Sequence, residues 1–116
     1  MTPAPRLHLQ GVLLPEGEQR DLWVVDGVIR TERVDGARTV SSGGWILPGL
    51  VDGHCHVGLD AAGAVPDAEA EEQALTDRSA GALLLRDAGS PADTRWIDDR
   101  EDLPRMIRAG RHIARP

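Results

Sequence analysis

Between Trp45 and Asp87 the chain carries an apolar run, a helical segment and a second apolar run, and few folds accommodate that order. In WILPGLVDGHCHV, Pro48 and Gly49 precede the adjacent apolar pair Leu50 and Val51, the pattern of a strand buried on both faces. From Pro66 to about Ala80 the pattern becomes helical. Asp67, Glu69, Glu71 and Glu72 crowd its first turns, where the helix dipole favours acids, and Gly81 supplies a stop. ALLLR then has strand length and DAGSPADT loop composition. Strand, helix, strand is a βαβ unit, and its strands run parallel. Met106 and Ile107 fit either a third strand ending at Gly110 or a short helix after Pro104; the strand is the favoured expectation.

The first third is patterned differently. Leu7, Leu9, Val12 and Leu14 form an irregular apolar run that Pro15, Glu16 and Gly17 interrupt, as a strand and turn would. DLWVVDGVIRTERV predicts a β-hairpin, because two Val/Ile-rich runs flank Asp26 and Gly27, a pair that tolerates positive φ. ARTVSS predicts one more short strand, broken by Gly43 and Gly44. The change of pattern near Trp45 to Pro48 divides the chain into a β portion, residues 1–47, and a βαβ portion, residues 48–116.

His54 and His56 end the apolar run after Pro48. Side chains alternate across a strand, so both imidazoles and Asp52 are expected on one face, with Gly53, Cys55 and Val57 on the other. An isolated His-x-His is weak evidence of a metal site. Its position strengthens it, because two histidines at the end of a buried strand are costly to desolvate without partners. Neutral imidazole suits Zn²⁺ and similar metals. Asp52 is a candidate to orient a histidine from behind, or to cap a turn. Cys55 reads as a small residue packing against the helical layer, and His8 and His112 as ordinary surface or packing histidines. Arg86 and Asp87, ending the second βαβ strand, are expected to make a polar contact or an ion pair.

Composition removes several functional classes. The formal charge is -6 and the 13 basic residues, all arginine, are scattered, which argues against nucleic-acid binding. One cysteine cannot form an internal disulfide, and no run approaches a secretory signal or a membrane span, so a cytoplasmic protein without membrane association is expected. No phosphate-binding loop, nucleophile elbow or dinucleotide fingerprint occurs.

The segment GGWILPGLVDGHCHVG resembles the signature of the amidohydrolase superfamily of metal-dependent hydrolases, with Pro-Gly, Asp and His-x-His in order. DLWVVDGVI is similar to the small β-sandwich of those enzymes. ALLLRDAGS is similar to the second barrel strand of members related to imidazolonepropionase and certain dipeptidases, and LPRMIRAGRHIA to the third. The resemblance implies an α/β chain forming the N-terminal part of a (β/α)₈ barrel, preceded by half of a small β-sandwich. It implies that His54 and His56 bind one or two divalent ions, usually Zn²⁺. It also implies that a metal-bound hydroxide attacks a C–N bond of an amide, cyclic amide or peptide-like small molecule.

A full barrel takes at least ~200 residues, so the remaining ligands and the catalytic groups are expected beyond residue 116. The chain alone is then expected to be an inactive fragment with open sheet edges: either it is the N-terminal portion of something longer, or a complementing chain or a homo-oligomer completes it. The competing reading is a small non-enzymatic α+β module that binds a partner and uses His54 and His56 structurally.

Overall fold

The computed structural model describes residues 4–111 and 113. The chain divides into two compact units, Met1–Pro48 and Gly49–Pro116.

In the first unit, β1 (Leu7–Leu13), β2 (Glu18–Val25), β3 (Val28–Arg30) and β4 (Arg38–Ile46) form a sheet in the order β3-β2-β1-β4. β1 and β2 are antiparallel, as are β2 and β3, whereas β1 and β4 run parallel. The β2–β3 hairpin turns at Asp26 and Gly27, with φ of 51° and 74°. Two consecutive positive φ angles match the twist of the flanking strands, and an aspartate and a glycine tolerate them. β4 does not stop at Gly43 and Gly44, as the sequence suggests. It continues to Ile46, and the register against β1 slips between the Gln10–Ser42 and Val12–Trp45 pairs, so a bulge absorbs the extra residue.

His8 knits this sheet across three strands. One ring nitrogen lies 2.7 Å from Asp21 Oδ1 and the other 2.9 Å from Thr39 Oγ1, while the ring stacks on Trp23 at 5.0 Å between centroids. It is the packing histidine the sequence suggests.

The second unit opens with β5 (Leu50–Cys55), followed by the small hairpin β6 (Leu59–Asp60) and β7 (Gly63–Ala64). Helix α1 (Asp67–Ser79), β8 (Ala82–Asp87), a 3₁₀ turn (Arg95–Asp99) and β9 (Arg105–Arg108) complete it. β5, β8 and β9 form a parallel sheet with β8 central. Met106 and Ile107 therefore lie in a strand, not a helix. Leu85, Ala70, Ala74, Val57 and Ile97 are all fully buried and form the core between sheet, helix and 3₁₀ turn. Arg100 ties the layers together, donating to Glu71 of α1 at 2.8 Å and to Asp102 at 2.7 Å.

Register assigns the faces of this sheet. Leu85 pairs with Met106 and Asp87 with Arg108, on the side that holds the core. Val51, Leu84 and Arg105 are level with one another, as are Arg86 and Ile107, on the opposite side, where Val51 is 61% and Ile107 57% exposed. Among the described residues no helix is long and apolar enough to cross a membrane.

Candidate metal-binding histidine pair

His54 and His56 lie at the C-terminal end of β5, the end at which ligands bind in parallel α/β sheets. Their rings meet edge to face, with centroids 5.2 Å apart and planes at 77°. His56 Nδ1 is 2.6 Å from the carbonyl oxygen of Gly89, in the loop after β8. A carbonyl only accepts, so Nδ1 carries the proton and Nε2 the lone pair. That tautomer is the one in which Nε2 is a metal donor, and a backbone carbonyl behind a ligating imidazole is a common way of fixing it.

Asp52 is positioned differently from the expectation of simple alternation. The β5–β8 register slips between the Asp52–Leu85 and Cys55–Asp87 pairs, so three steps along β5 match two along β8. Asp52 and Cys55 consequently share the covered face. Its Oδ1 accepts the backbone N–H of His54 at 3.0 Å. The carboxylate thus holds the irregular stretch that brings the rings together, the turn-capping role, and Gly89 is the group that orients a ring.

The covered face is acidic. Cys55 packs against the core, and its thiol is pushed up to about 11, first by burial and then by Asp52, Asp87 and Asp77. A thiol so held is neutral at physiological pH and is a poor nucleophile or ligand. Cys55, His56, Val57 and the α1 side chains Glu72, Gln73 and Asp77 line a cleft of about 510 Å³. Gln73 fastens α1 to the chain just after the histidines: Oε1 accepts the N–H of Gly58 at 2.7 Å, and Nε2 donates to the carbonyl of Leu59 at 3.2 Å.

Arg86 and Asp87 do not form the ion pair considered from sequence, because adjacent strand positions face opposite ways. Arg86 is exposed and reaches toward the Gly53 carbonyl at 3.5 Å. Asp87 is 2% exposed and accepts the N–H of Gly89 at 2.8 Å. Arg108 holds the loop beside it, donating to Thr94 O at 2.7 Å, Thr94 Oγ1 at 2.9 Å and both carboxylate oxygens of Asp98 at 2.9 Å. His112 lies outside the described residues.

Two imidazoles, one with its tautomer set, fit two positions of a divalent ion's shell. Among the described residues no group of three or more His, Cys, Asp or Glu side chains is arranged to hold a metal. A catalytic zinc takes three protein ligands. A third would have to come from outside these residues.

Several known proteins are similar to this chain. Uncharacterized proteins of Mycobacterium tuberculosis and Mycobacterium bovis are 65% identical over 113 residues, which is 97% of this chain and 30% of theirs. The chain therefore spans about a third of the length of the curated relatives it matches. No protein-family model matches. Among solved structures, a protein from Bifidobacterium longum assigned as a prolidase has a TM-score of 0.73 at 20% identity, over 99% of this chain and 32% of its own. A Xaa-Pro dipeptidase with methionine bound in its active site has a TM-score of 0.63 at 18% identity, over 94% and 34%. An uncharacterized protein has a TM-score of 0.67 at 24% identity, over 90% and 32%. The chain thus shares a mixed, sheet-rich α/β fold with about a third of larger proteins, two of them named as peptidases.

Proposed function

We propose that this chain is the N-terminal portion of a metal-dependent hydrolase of the amidohydrolase type, acting on C–N bonds in peptide-like small molecules. In this reading β5, β8 and β9 are the first three strands of a (β/α)₈ barrel, and the four-stranded sheet is part of a small β-sandwich. The observation that carries it is the histidine pair, two rings meeting edge to face at the C-terminal end of a parallel strand with the His56 tautomer fixed by Gly89. Structural similarity to proteins named as a prolidase and a Xaa-Pro dipeptidase supports the choice of bond.

His54 and His56 would hold one divalent ion, Zn²⁺ being the expected one, with further ligands from later in the longer polypeptide. Such an ion supplies, when bound, Lewis-acid activation of water near neutral pH. The chain's own residues position that site. Asp52 fixes the backbone of His54, Gly89 the ring of His56, and Gln73 the segment after them. Substrate selection and the catalytic acid and base lie elsewhere in the polypeptide. The 116 residues alone are therefore expected to be inactive, and the exposed Val51 and Ile107 belong to a face that the remainder covers. A cytoplasmic location and a small-molecule substrate go with this reading.

The test is hydrolysis of Xaa-Pro dipeptides by the zinc-loaded, native-length polypeptide. His54→Ala and His56→Ala should each lower kcat/KM by about 100-fold or more, since ligand loss removes the activating ion. Hydrolysis that survives both substitutions and a strong chelator would remove the proposal.

A further inference from the structure

The carbonyl that orients His56 belongs to a loop whose backbone is held at three successive peptide planes. The N–H of Ala88 donates to Cys55 O at 2.8 Å, that of Gly89 to Asp87 Oδ1 at 2.8 Å, and that of Ser90 to Gly110 O at 3.1 Å. The third plane carries the Gly89 carbonyl, whose oxygen receives His56 Nδ1–H. Two of these anchors are backbone carbonyls, Cys55 at the end of β5 and Gly110 two residues past β9. The middle one is a side chain, and it is an aspartate only 2% exposed.

Gly89 has φ of 132°, a region that side-chain-bearing residues rarely adopt, so its own sterics do not lock the plane on either side. Hydrogen bonds must do so. A carboxylate is seldom fully buried unless its bonds reward the desolvation, and the bond Asp87 makes is to the residue that aims the imidazole. We propose that Asp87 is a positioning residue for the metal site: through the Gly89 backbone it sets the ring orientation and Nδ1–H tautomer of His56. The chain of contacts is Asp87 Oδ1 to Gly89 N–H, then Gly89 O to His56 Nδ1–H. Asp87 does not touch the metal or the substrate in this role. The inference rests on the proposed metal-binding function for its consequence, but its geometric content concerns the metal-free protein.

Two readings separate these layers. In the metal-free, histidine-¹⁵N-labelled protein, His56 is expected as the Nδ1–H tautomer and the Gly89 amide as slowly exchanging. An Nε2–H tautomer, or a freely exchanging Gly89 amide, overturns the inference without any variant. Asp87→Ala should convert His56 to a tautomer mixture and weaken zinc affinity, measured by chelator competition, about 10- to 100-fold. Asp87→Asn keeps an acceptor oxygen and should retain the wild-type tautomer and most of the affinity. A folded Asp87→Ala protein with unchanged tautomer and zinc affinity also overturns it. If zinc fails to bind the wild type while both wild-type readings hold, the functional reading fails and the positioning relationship stands.

Discussion

His54 and His56 hold their ring centroids 5.2 Å apart although regular alternation in β5 is interrupted between Asp52 and Cys55. The Asp52 carboxylate accepts the N–H of His54 across that interruption at 3.0 Å. Losing a bond of this kind costs about 1 kcal/mol. Asp52→Ala should therefore lower the urea-unfolding free energy by about that amount and weaken zinc binding, whereas Asp52→Asn, which keeps an acceptor, should sit near wild type. Equal effects of the two variants would contradict this role.

Leu85 is fully buried at the centre of the parallel sheet, in contact with the core that α1 and the 3₁₀ turn complete. Leu85→Ala removes buried methyl groups and leaves a cavity, for a loss of about 2–5 kcal/mol. Urea denaturation checks the figure, and a loss below about 1 kcal/mol would mean that the site collapses around the smaller side chain.

Arg108 holds the loop from Thr94 to Asp98 through a backbone carbonyl, a hydroxyl and a carboxylate. Thr94 O keeps the N–H of Ile97 at 3.1 Å, so removing the guanidinium takes away its second donor and the tie to Asp98, at about 1 kcal/mol. Arg108→Ala should raise amide hydrogen exchange over residues 90–99 while leaving the hairpin at Asp26 and Gly27 unchanged.

Asp77 has its carboxyl pushed above its ordinary value of 3.8, first by burial and then by Asp52. A carboxyl raised in the folded state contributes stability while protonated, below the ordinary value, and loses it as pH rises through the folded value. At neutral pH the ionised group therefore weighs against the fold. Asp77→Asn should raise the thermal midpoint by about 1–2 °C at pH 7, the partial exposure keeping the effect small, with the gap narrowing below pH ~4. A lower midpoint at pH 7 would contradict the sign.

Much of this architecture was legible because its signals are local. Asp26 and Gly27 carry their own turn chemistry, and Asp67 and Glu69 mark the start of α1 where the dipole favours them. β-Bulges break the simple sequence patterns at two places. Gly43 and Gly44 read as a break, yet β4 passes through them, and the slip after Asp52 turns that carboxylate away from the face that period-two alternation assigns to it. The orienting group of His56 was out of reach for a different reason: it is a backbone carbonyl 33 residues away, and only the fold brings it near. The Asp-x-Gly sequence at 87–89, a local side-chain-to-backbone turn pattern, was the one available hint. The pair itself was visible as His-x-His.

The measurement that bears most directly on the account is X-ray absorption at the zinc edge on the zinc-loaded protein, beside the His54→Ala/His56→Ala double variant. Two or more imidazole nitrogens at about 2.0–2.1 Å in the wild type, falling by two in the variant, is the predicted result. A zinc shell without imidazole, or one the double substitution leaves unchanged, would contradict it.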